Sequence, residues 1–375
     1  MSKFASRCQI LLRAIPRLPG KFLRRRPPQQ VKRILVAHNL LLGDTVMLSP
    51  LLHKLREAYP AAEITLLCKK PFLDLFRLNP LNIKVMTWQL NDTPSVSAVI
   101  RSGPWDLAFI PGDNRYAWLT LAAGTRWIVA HKASEKRFHH LAVDDRRDYP
   151  LSPQAWSDAI AGLTSGDMPA ALPWSVPDGV APREDKYVVL HVGASNPTRF
   201  WPAERWFELA CWLENQGYSP VWSGVESERK WVEAADPQGR FTSYAGKLTL
   251  AELLELLRGA GCLICADTGV AHVAKLSATP TITLYGPGNP IAFGAGEYWA
   301  GHPVVNAGFN PIACRDQNTL FARELPWLAR CGRTEKTCLH FTNGCSACMA
   351  SISVEDVKDA FRKIKGIDDA PEFGR

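Results

Sequence analysis

The chain has 375 residues, enough for two domains that each bury a core of their own. Apolar residues make up 46% and charged residues 21%, ordinary values for a globular protein that exclude a long disordered chain. The formal net charge of +8 favours an anionic partner such as a phosphate, a nucleic acid or an acidic membrane face.

Much of that charge lies at the start. Residues 1–33 carry Lys3, Arg7, Arg13, Arg17, Lys21, Arg24, Arg25, Arg26, Lys32 and Arg33, with no Asp or Glu. Between them stand Phe4, Ile10, Leu11, Leu12, Ile15, Leu18, Phe22 and Leu23. A basic amphipathic stretch of this kind can lie on an anionic lipid surface. A solvated tail ahead of the first strand is the equal alternative. Residues 1–30 are thus expected as a basic amphipathic tail. No uninterrupted apolar region follows the charges, so no signal peptide is expected, and no run approaches the ~18 apolar residues of a membrane-crossing helix. The expectation is a cytoplasmic chain, with a peripheral place on the inner membrane as the option the basic stretch opens. Its ten cysteines would then be mostly reduced.

The pattern changes after Pro27-Pro28. Arg33-Ile34-Leu35-Val36-Ala37-His38 reads as a buried parallel strand. A loop over residues 39–44 leads to a helix over 45–59, where Val46, Leu48, Leu51, Leu52, Leu55 and Tyr59 recur at helical spacing. Pro60 ends it, and residues 63–68 form a second strand, completing a βαβ unit. Weaker strands follow at 83–87, 106–110 and 127–130, with a helix over 154–163. Pro169, Pro173, Pro177 and Pro182 then mark a linker. A second α/β block starts with the strand Tyr187-Val188-Val189-Leu190-His191-Val192. Strands at 220–223, 261–267 and 281–285 alternate with helices over 204–216, 226–236, 249–259 and 269–276, and a last helix spans 353–364. The predicted organisation is α/β throughout, with domains at 31–175 and 176–350 and a C-terminal helix and tail at 351–375. Both halves place small or polar residues just past the C-terminal strand ends, where open parallel sheets bind ligands.

Four blocks match a known family. The Leu42-Gly43-Asp44 turn within residues 34–59 resembles the N-terminal signature of glycosyltransferase family 9, the ADP-heptose:lipopolysaccharide heptosyltransferases. Arg199-Phe200-Trp201-Pro202 is similar to its Lys-x-Trp-Pro segment. Ala266-Asp267-Thr268-Gly269-Val270-Ala271-His272 is similar to its Asp-Thr-Gly-x-x-His donor loop, and Leu284-Tyr285-Gly286-Pro287 to the next strand-end loop. The resemblance runs from about residue 31 to about 365. It implies a GT-B fold, two Rossmann-like domains facing a central cleft, the N-terminal one binding the acceptor and the C-terminal one the nucleotide sugar. It implies inverting, metal-independent transfer of heptose from ADP-heptose to a lipopolysaccharide core or related lipid-linked glycan.

On that resemblance Asp44 is the catalytic base that takes the proton of the acceptor hydroxyl. Read from the residues alone, a cap for the helix starting at Thr45 is the stronger reading, and both roles can hold together. Gly43 and Asn39 belong to the acceptor side. Arg199 should face the donor diphosphate, although the family usually has Lys there. Ser195 could donate to the same phosphates. Thr268 and the N–H groups opening the helix at Gly269 present donors to an anion. Asp267 would repel phosphate and is assigned to a ribose or sugar hydroxyl, or to orienting its loop. His272 is expected close to the donor without acid–base work. Glu228 is the candidate for the nucleoside ribose, with Glu226 an equal alternative. Gly286, Pro287 and Asn289 should line the donor pocket.

The first motif departs from the family, which commonly has Arg and Ser ahead of Gly-Asp where this chain has His38, Asn39 and Leu40-Leu41-Leu42. The acceptor need not then be the usual inner-core one; a protein such as an autotransporter is an alternative, as is a non-catalytic nucleotide-sugar-binding module. Late in the chain stand Cys331, Cys338, Cys345 and Cys348, after Cys314. Cys345-x-x-Cys348 is half of a tetrahedral thiolate site, and the autotransporter-modifying branch uses a four-cysteine iron site. A structural zinc or iron on these four is one expectation, and reduced or reversibly oxidised thiols the other. No cofactor is expected for catalysis. No nucleic-acid partner is expected either, because the basic residues concentrate at the start and no RRM, KH, HTH or OB pattern occurs.

Overall fold

The apolar runs build two six-stranded parallel sheets with the same strand order. The computed structural model describes residues 3–23, 26–133, 137–175, 179, 186–308 and 310–366. The chain divides into two units: Met1–Ala171 with Asn318–Trp327, and Leu172–Gln317 with Leu328–Arg375.

The first unit opens with helices α1 (Lys3–Ala14) and α2 (Leu18–Phe22). The basic stretch is therefore no separate tail in the described residues. Ile10 and Ala14 are buried in the unit's core, Ser6 Oγ lies 3.1 Å from Thr93 Oγ1, and Gln9 Nε2 donates to Ser97 Oγ at 2.6 Å. Lys21 forms a buried ion pair with Asp144 at 2.8 Å. Strand β1 (Arg33–Val36) is followed by α3 (Leu42–Val46), α4 (Ser49–Ala58), β2 (Glu63–Cys68), α5 (Leu73–Phe76), β3 (Lys84–Thr87) and α6 (Thr93–Arg101). Then come β4 (Leu107–Ile110), α7 (Ala117–Ala122), β5 (Trp127–His131), α8 (Arg137–His140), β6 (Asp145–Arg147) and α9 (Trp156–Ala161). The sheet order is β3-β2-β1-β4-β5-β6, every neighbour parallel. This is the doubly wound Rossmann order, whose topological switch lies between β1 and β4.

The helix predicted over 45–59 is two helices. α3 starts three residues early, and the chain breaks at Met47-Leu48 before Ser49-Pro50, because proline is well placed in a first helical turn but not inside one. The segment 318–327, expected in the second domain, belongs to the first unit. There Phe321 packs on Trp156 at 4.7 Å and Arg323 donates from Nε to the Lys132 carbonyl at 3.0 Å.

The second unit comprises β7 (Tyr187–His191), α10 (Ala203–Asn215), β8 (Ser219–Ser223), α11 (Arg229–Ala235), β9 (Thr242–Ser243), α12 (Leu250–Gly259), β10 (Cys262–Ala266), α13 (Gly269–Lys275), β11 (Thr281–Leu284), β12 (Val304–Ala307), α14 (Ala347–Ala350) and α15 (Val354–Lys365). Its order, β9-β8-β7-β10-β11-β12, repeats that of the first unit strand for strand. All five residues of β7 and of β10 are buried, as central parallel strands with both faces covered require. Capping boxes start α12 (Thr249 with Glu252) and α15 (Ser353 with Asp356). The predicted C-terminal helix is part of this core rather than an appendage: Val357 and Phe361 are buried in it, Phe361 edge-on to Trp212 at 5.7 Å. Residues 367–375 lie outside the described residues.

Candidate active site

In the first unit the loop after β1 carries Asn39, Gly43 and Asp44. Leu41 is the N-cap of α3 and makes no side-chain cap bond, so Asp44 sits inside the first turn and is not the cap of the helix. Its side chain is half-buried, where the helix dipole favours a negative charge. Lys69, just past β2, lies within electrostatic reach. Burial lowers the Lys69 pKa and the Asp44 carboxylate opposes that shift. Asn39 hydrogen-bonds the Tyr116 phenol. His38 is fully inside. Its Nδ1 accepts from the Leu40 N–H at 3.1 Å and its carbonyl accepts from Trp88 Nε1 at 2.8 Å. Burial, reinforced by Lys69, pushes the imidazole down to about 3, so it is neutral at physiological pH.

In the second unit the switch point lies between β7 and β10, and the motif loops follow those two strands and β11. After β7, Ser195 is exposed and Arg199 ends a 3-10 turn, Pro197–Arg199, whose N-cap Asn196 accepts from the Thr198 N–H. Arg199 Nη1 donates to the Asp267 carbonyl at 2.6 Å and stands 3.7 Å from Asp267 Oδ2. Asp267 is buried, and a Cβ at Gly288 would fall 2.1 Å from that same Oδ2. The Asp267 carboxylate thus lies between Arg199 and Gly288 of the loop after β11. Thr268 caps α13 through the Val270 N–H at 3.3 Å, leaving the first-turn N–H groups beside Arg199 as anion donors.

His272, one turn into α13, is buried against Lys275, whose Nζ donates to His272 Nδ1 at 3.3 Å and to the Gly294 carbonyl at 2.5 Å. Burial, then Lys275 and Arg199, depress its pKa well below the usual histidine range, so it is a neutral packed group.

Glu228 and Glu226 separate clearly. Glu226 is exposed and paired with Arg229. Glu228 folds inward, accepting from the Val225 N–H at 2.9 Å and lying 3.8 Å from His191 Nε2, in space left by Gly193. Gly286 and Pro287 are buried. The Gly286 carbonyl accepts from Arg315 Nε at 2.7 Å and the Pro287 carbonyl from the Cys331 N–H at 2.8 Å. Asn289 ties its loop through Ile291 and Ala292 N–H groups.

The family model for glycosyltransferase family 9 (heptosyltransferase) matches residues 126–321, just over half of the chain. The chain belongs to glycosyltransferase family 9. It is similar to lipopolysaccharide heptosyltransferase 1 of Pseudomonas aeruginosa, 26% identical over 296 residues, which are 70% of this chain and 81% of that protein. Among solved structures it resembles the family 9 glycosyltransferase of Veillonella parvula, with TM-score 0.68, 19% identity and coverage of 89% of this chain and 97% of the other. It also resembles the Escherichia coli heptosyltransferase WaaC with ADP, with TM-score 0.65, 16% identity and coverage of 88% and 99%. The fold is GT-B, and the chain is a glycosyltransferase of the heptosyltransferase family.

The late cysteines of this transferase lie within electrostatic reach of one another: Cys348 of Cys345, Cys314 and Cys338, and Arg315 of Cys348, Cys314 and Cys331. Among the described residues no group of three or more His, Cys, Asp or Glu is placed to hold a metal ion. Cys331 Sγ accepts from Arg333 Nη1 at 3.6 Å, Cys345 Sγ donates to the Phe200 carbonyl at 3.5 Å, and Cys348 Sγ lies 3.2 Å from Ser346 Oγ. Burial pushes the Cys345 thiol up to about 11 and raises that of Cys348.

Several residues that shape the site escaped the sequence reading. His191 ends β7 with Nδ1 3.0 Å from Ser223 Oγ, so it braces the strand end beneath Glu228. Its signal was a histidine closing a central strand just before Gly193. Lys275 was legible only as the residue one turn beyond His272. Lys69, Arg115 and Tyr116 come together at the strand ends of the first unit, each just past a strand the sequence had placed.

Proposed function

We propose that this transferase moves heptose from ADP-heptose to an acceptor hydroxyl of a lipopolysaccharide core or related lipid-linked glycan, by inverting displacement without a metal. The observation that carries the reading is the placement of each charge at a switch point. A half-buried carboxylate, Asp44, follows β1 in one Rossmann unit. A cation, Arg199, and a capped helix start follow β7 and β10 in the other. The relative solved with ADP and the lipopolysaccharide heptosyltransferase among the similar proteins suggest the donor and the acceptor class.

In this reading Glu228 receives the ribose hydroxyls. Ser195, Arg199, Thr268 and the Gly269 N–H hold the diphosphate, with Gly286 and Pro287 lining the pocket. Asp44 takes the proton of the acceptor hydroxyl as its oxygen bonds to the anomeric carbon. The bond from that carbon to the diphosphate oxygen breaks, and the electron pair leaves with ADP. Attack opposite the leaving group inverts the configuration. The leaving charge is stabilised by Arg199 and the helix start, the role a divalent ion fills elsewhere.

A mass-spectrometric screen of nucleotide-sugar donors against lipopolysaccharide-core acceptors, in excess chelator, tests this. Heptosylated product with a new inverted linkage is expected. Transfer that requires added metal, or that occurs with other sugars and not with ADP-heptose, contradicts it.

The reading extends to a peripheral position on the cytoplasmic face of the inner membrane. Phe4, Leu12, Phe22 and Leu23 are 67–82% exposed on α1, α2 and the residue after them, beside Arg13 and Arg17. No helix among the described residues is long and apolar enough to cross a membrane. Phe4→Ser with Leu12→Ser should weaken sedimentation with vesicles rich in anionic lipid; unchanged sedimentation refutes the contact.

A further inference from the structure

The first unit holds a cavity of about 720 Å³ at the C-terminal ends of its central strands. Asn39 after β1, Lys69 after β2, Leu90 after β3 and Arg115 after β4 line it, and so does the inner side of α1. Asn39 and Lys69 make it the neighbour of Asp44. The lining includes Lys3, Arg7, Lys69 and Arg115 and no Asp or Glu. Apolar surface is contributed by Leu11, Leu90, Trp118 and Phe138, the last two stacked at 4.5 Å.

Two of the four cations are partly answered. Arg115 Nε donates to Asp113 Oδ1 at 2.9 Å, and Lys69 stands near Asp44. Among the described residues Lys3 and Arg7 have no ion-pair partner, and both are exposed. Arg7 lies within electrostatic reach of Tyr116, the phenol that Asn39 holds. The two cations stand on a helix fixed by Ile10 and Ala14 in the core and by the Ser6 and Gln9 hydrogen bonds. A fixed wall loses little freedom when it binds.

We propose that α1 is a wall of the acceptor site, with Lys3 and Arg7 binding an acidic group, phosphate or carboxylate, on an amphiphilic glycan whose apolar part rests on the Trp118 side. This rests on the reading of Asp44 as the base and specifies the class of acceptor.

The test is calorimetric binding without donor, using deacylated lipopolysaccharide core with its phosphates intact and the same glycan dephosphorylated. The proteins are wild type, Lys3→Ala/Arg7→Ala, and Arg7→Lys. The double variant should bind about tenfold more weakly, with a shallower salt dependence, while its ADP affinity and thermal melting stay unchanged. Arg7→Lys should recover part of the loss. A loss confined to the phosphorylated glycan identifies phosphate as the bound group, and a loss on both identifies carboxylate. Equal affinity of double variant and wild type overturns the wall. Wild type that binds ADP but neither glycan removes the acceptor reading itself, and the wall with it.

Discussion

Replacing Gly193 by alanine should disable nucleoside binding without unfolding the transferase. A Cβ there would fall 2.0 Å from Glu228 Cδ and 2.2 Å from each carboxylate oxygen. The obstruction is the end of a flexible side chain, so Glu228 swings out and the strand stays. The displaced carboxylate gives up the Val225 N–H and its place beside His191. Val225 is exposed, its N–H can meet water, and the stability cost is about 1 kcal/mol. The nucleoside loses more. Hydrogen bonds to a charged group contribute roughly 1.5–3 kcal/mol each, so loss of the ribose contact should weaken ADP binding by about 10- to 100-fold. Calorimetric titration of ADP into Gly193→Ala, Glu228→Ala and the double variant tests the reasoning as a cycle. Because both changes act on one side chain, the double variant should be no worse than the weaker single one. ADP affinity retained in Gly193→Ala, or additive losses in the double variant, would refute it.

The buried Lys21–Asp144 pair joins α2 to the first unit's core, and Asp144 also accepts from the Ile128 N–H at 2.9 Å. Asp144→Ala should lower the stability of the first unit by about 3 kcal/mol, near the low end for a stranded buried charge because Lys21 keeps the Ala142 carbonyl. Urea unfolding followed by tryptophan fluorescence reads this, and a loss below about 1 kcal/mol would mean the pair is hydrated. His38 and His131 are both held neutral by burial, each with its pKa pushed down to about 3. The unfolded chain protonates them near 6.5, so their contribution is complete above that value and declines as pH falls from 6.5 toward 3. Each adds up to about 1.4 kcal/mol per pH unit to the slope in that window. A urea midpoint that is flat between pH 6.5 and 5 would contradict the burial of both.

Central strands were legible because burial on both faces leaves continuous apolar runs: β1, β2, β4, β7, β10 and β11 all stand where the sequence put them. Of the edge strands β3 was read at 83–87, while β6, β9 and β12 were not. β6 is Asp145-Arg146-Arg147, and β12 is half-buried around Asn306; both are defined by pairing to a neighbour and not by their own pattern. The candidate donor residues could be named because they sit one to eight residues beyond readable strand ends. The choice of Glu228 over Glu226 depended on the space at Gly193, which is tertiary information. The same holds for α1, whose composition suits a tail or a membrane helix equally and whose seat is decided by Ser6, Gln9 and Ile10 meeting α6 and α7.

Asp44→Asn tests the central claim most directly. The substitution keeps size and the position in the first turn of α3 but removes the carboxylate that would accept the hydroxyl proton. With ADP-heptose and a competent acceptor, turnover should fall by about 100-fold or more, while ADP affinity and thermal melting match wild type. Turnover close to wild type in this variant would mean that the proton goes elsewhere, and that Asp44 is not the base.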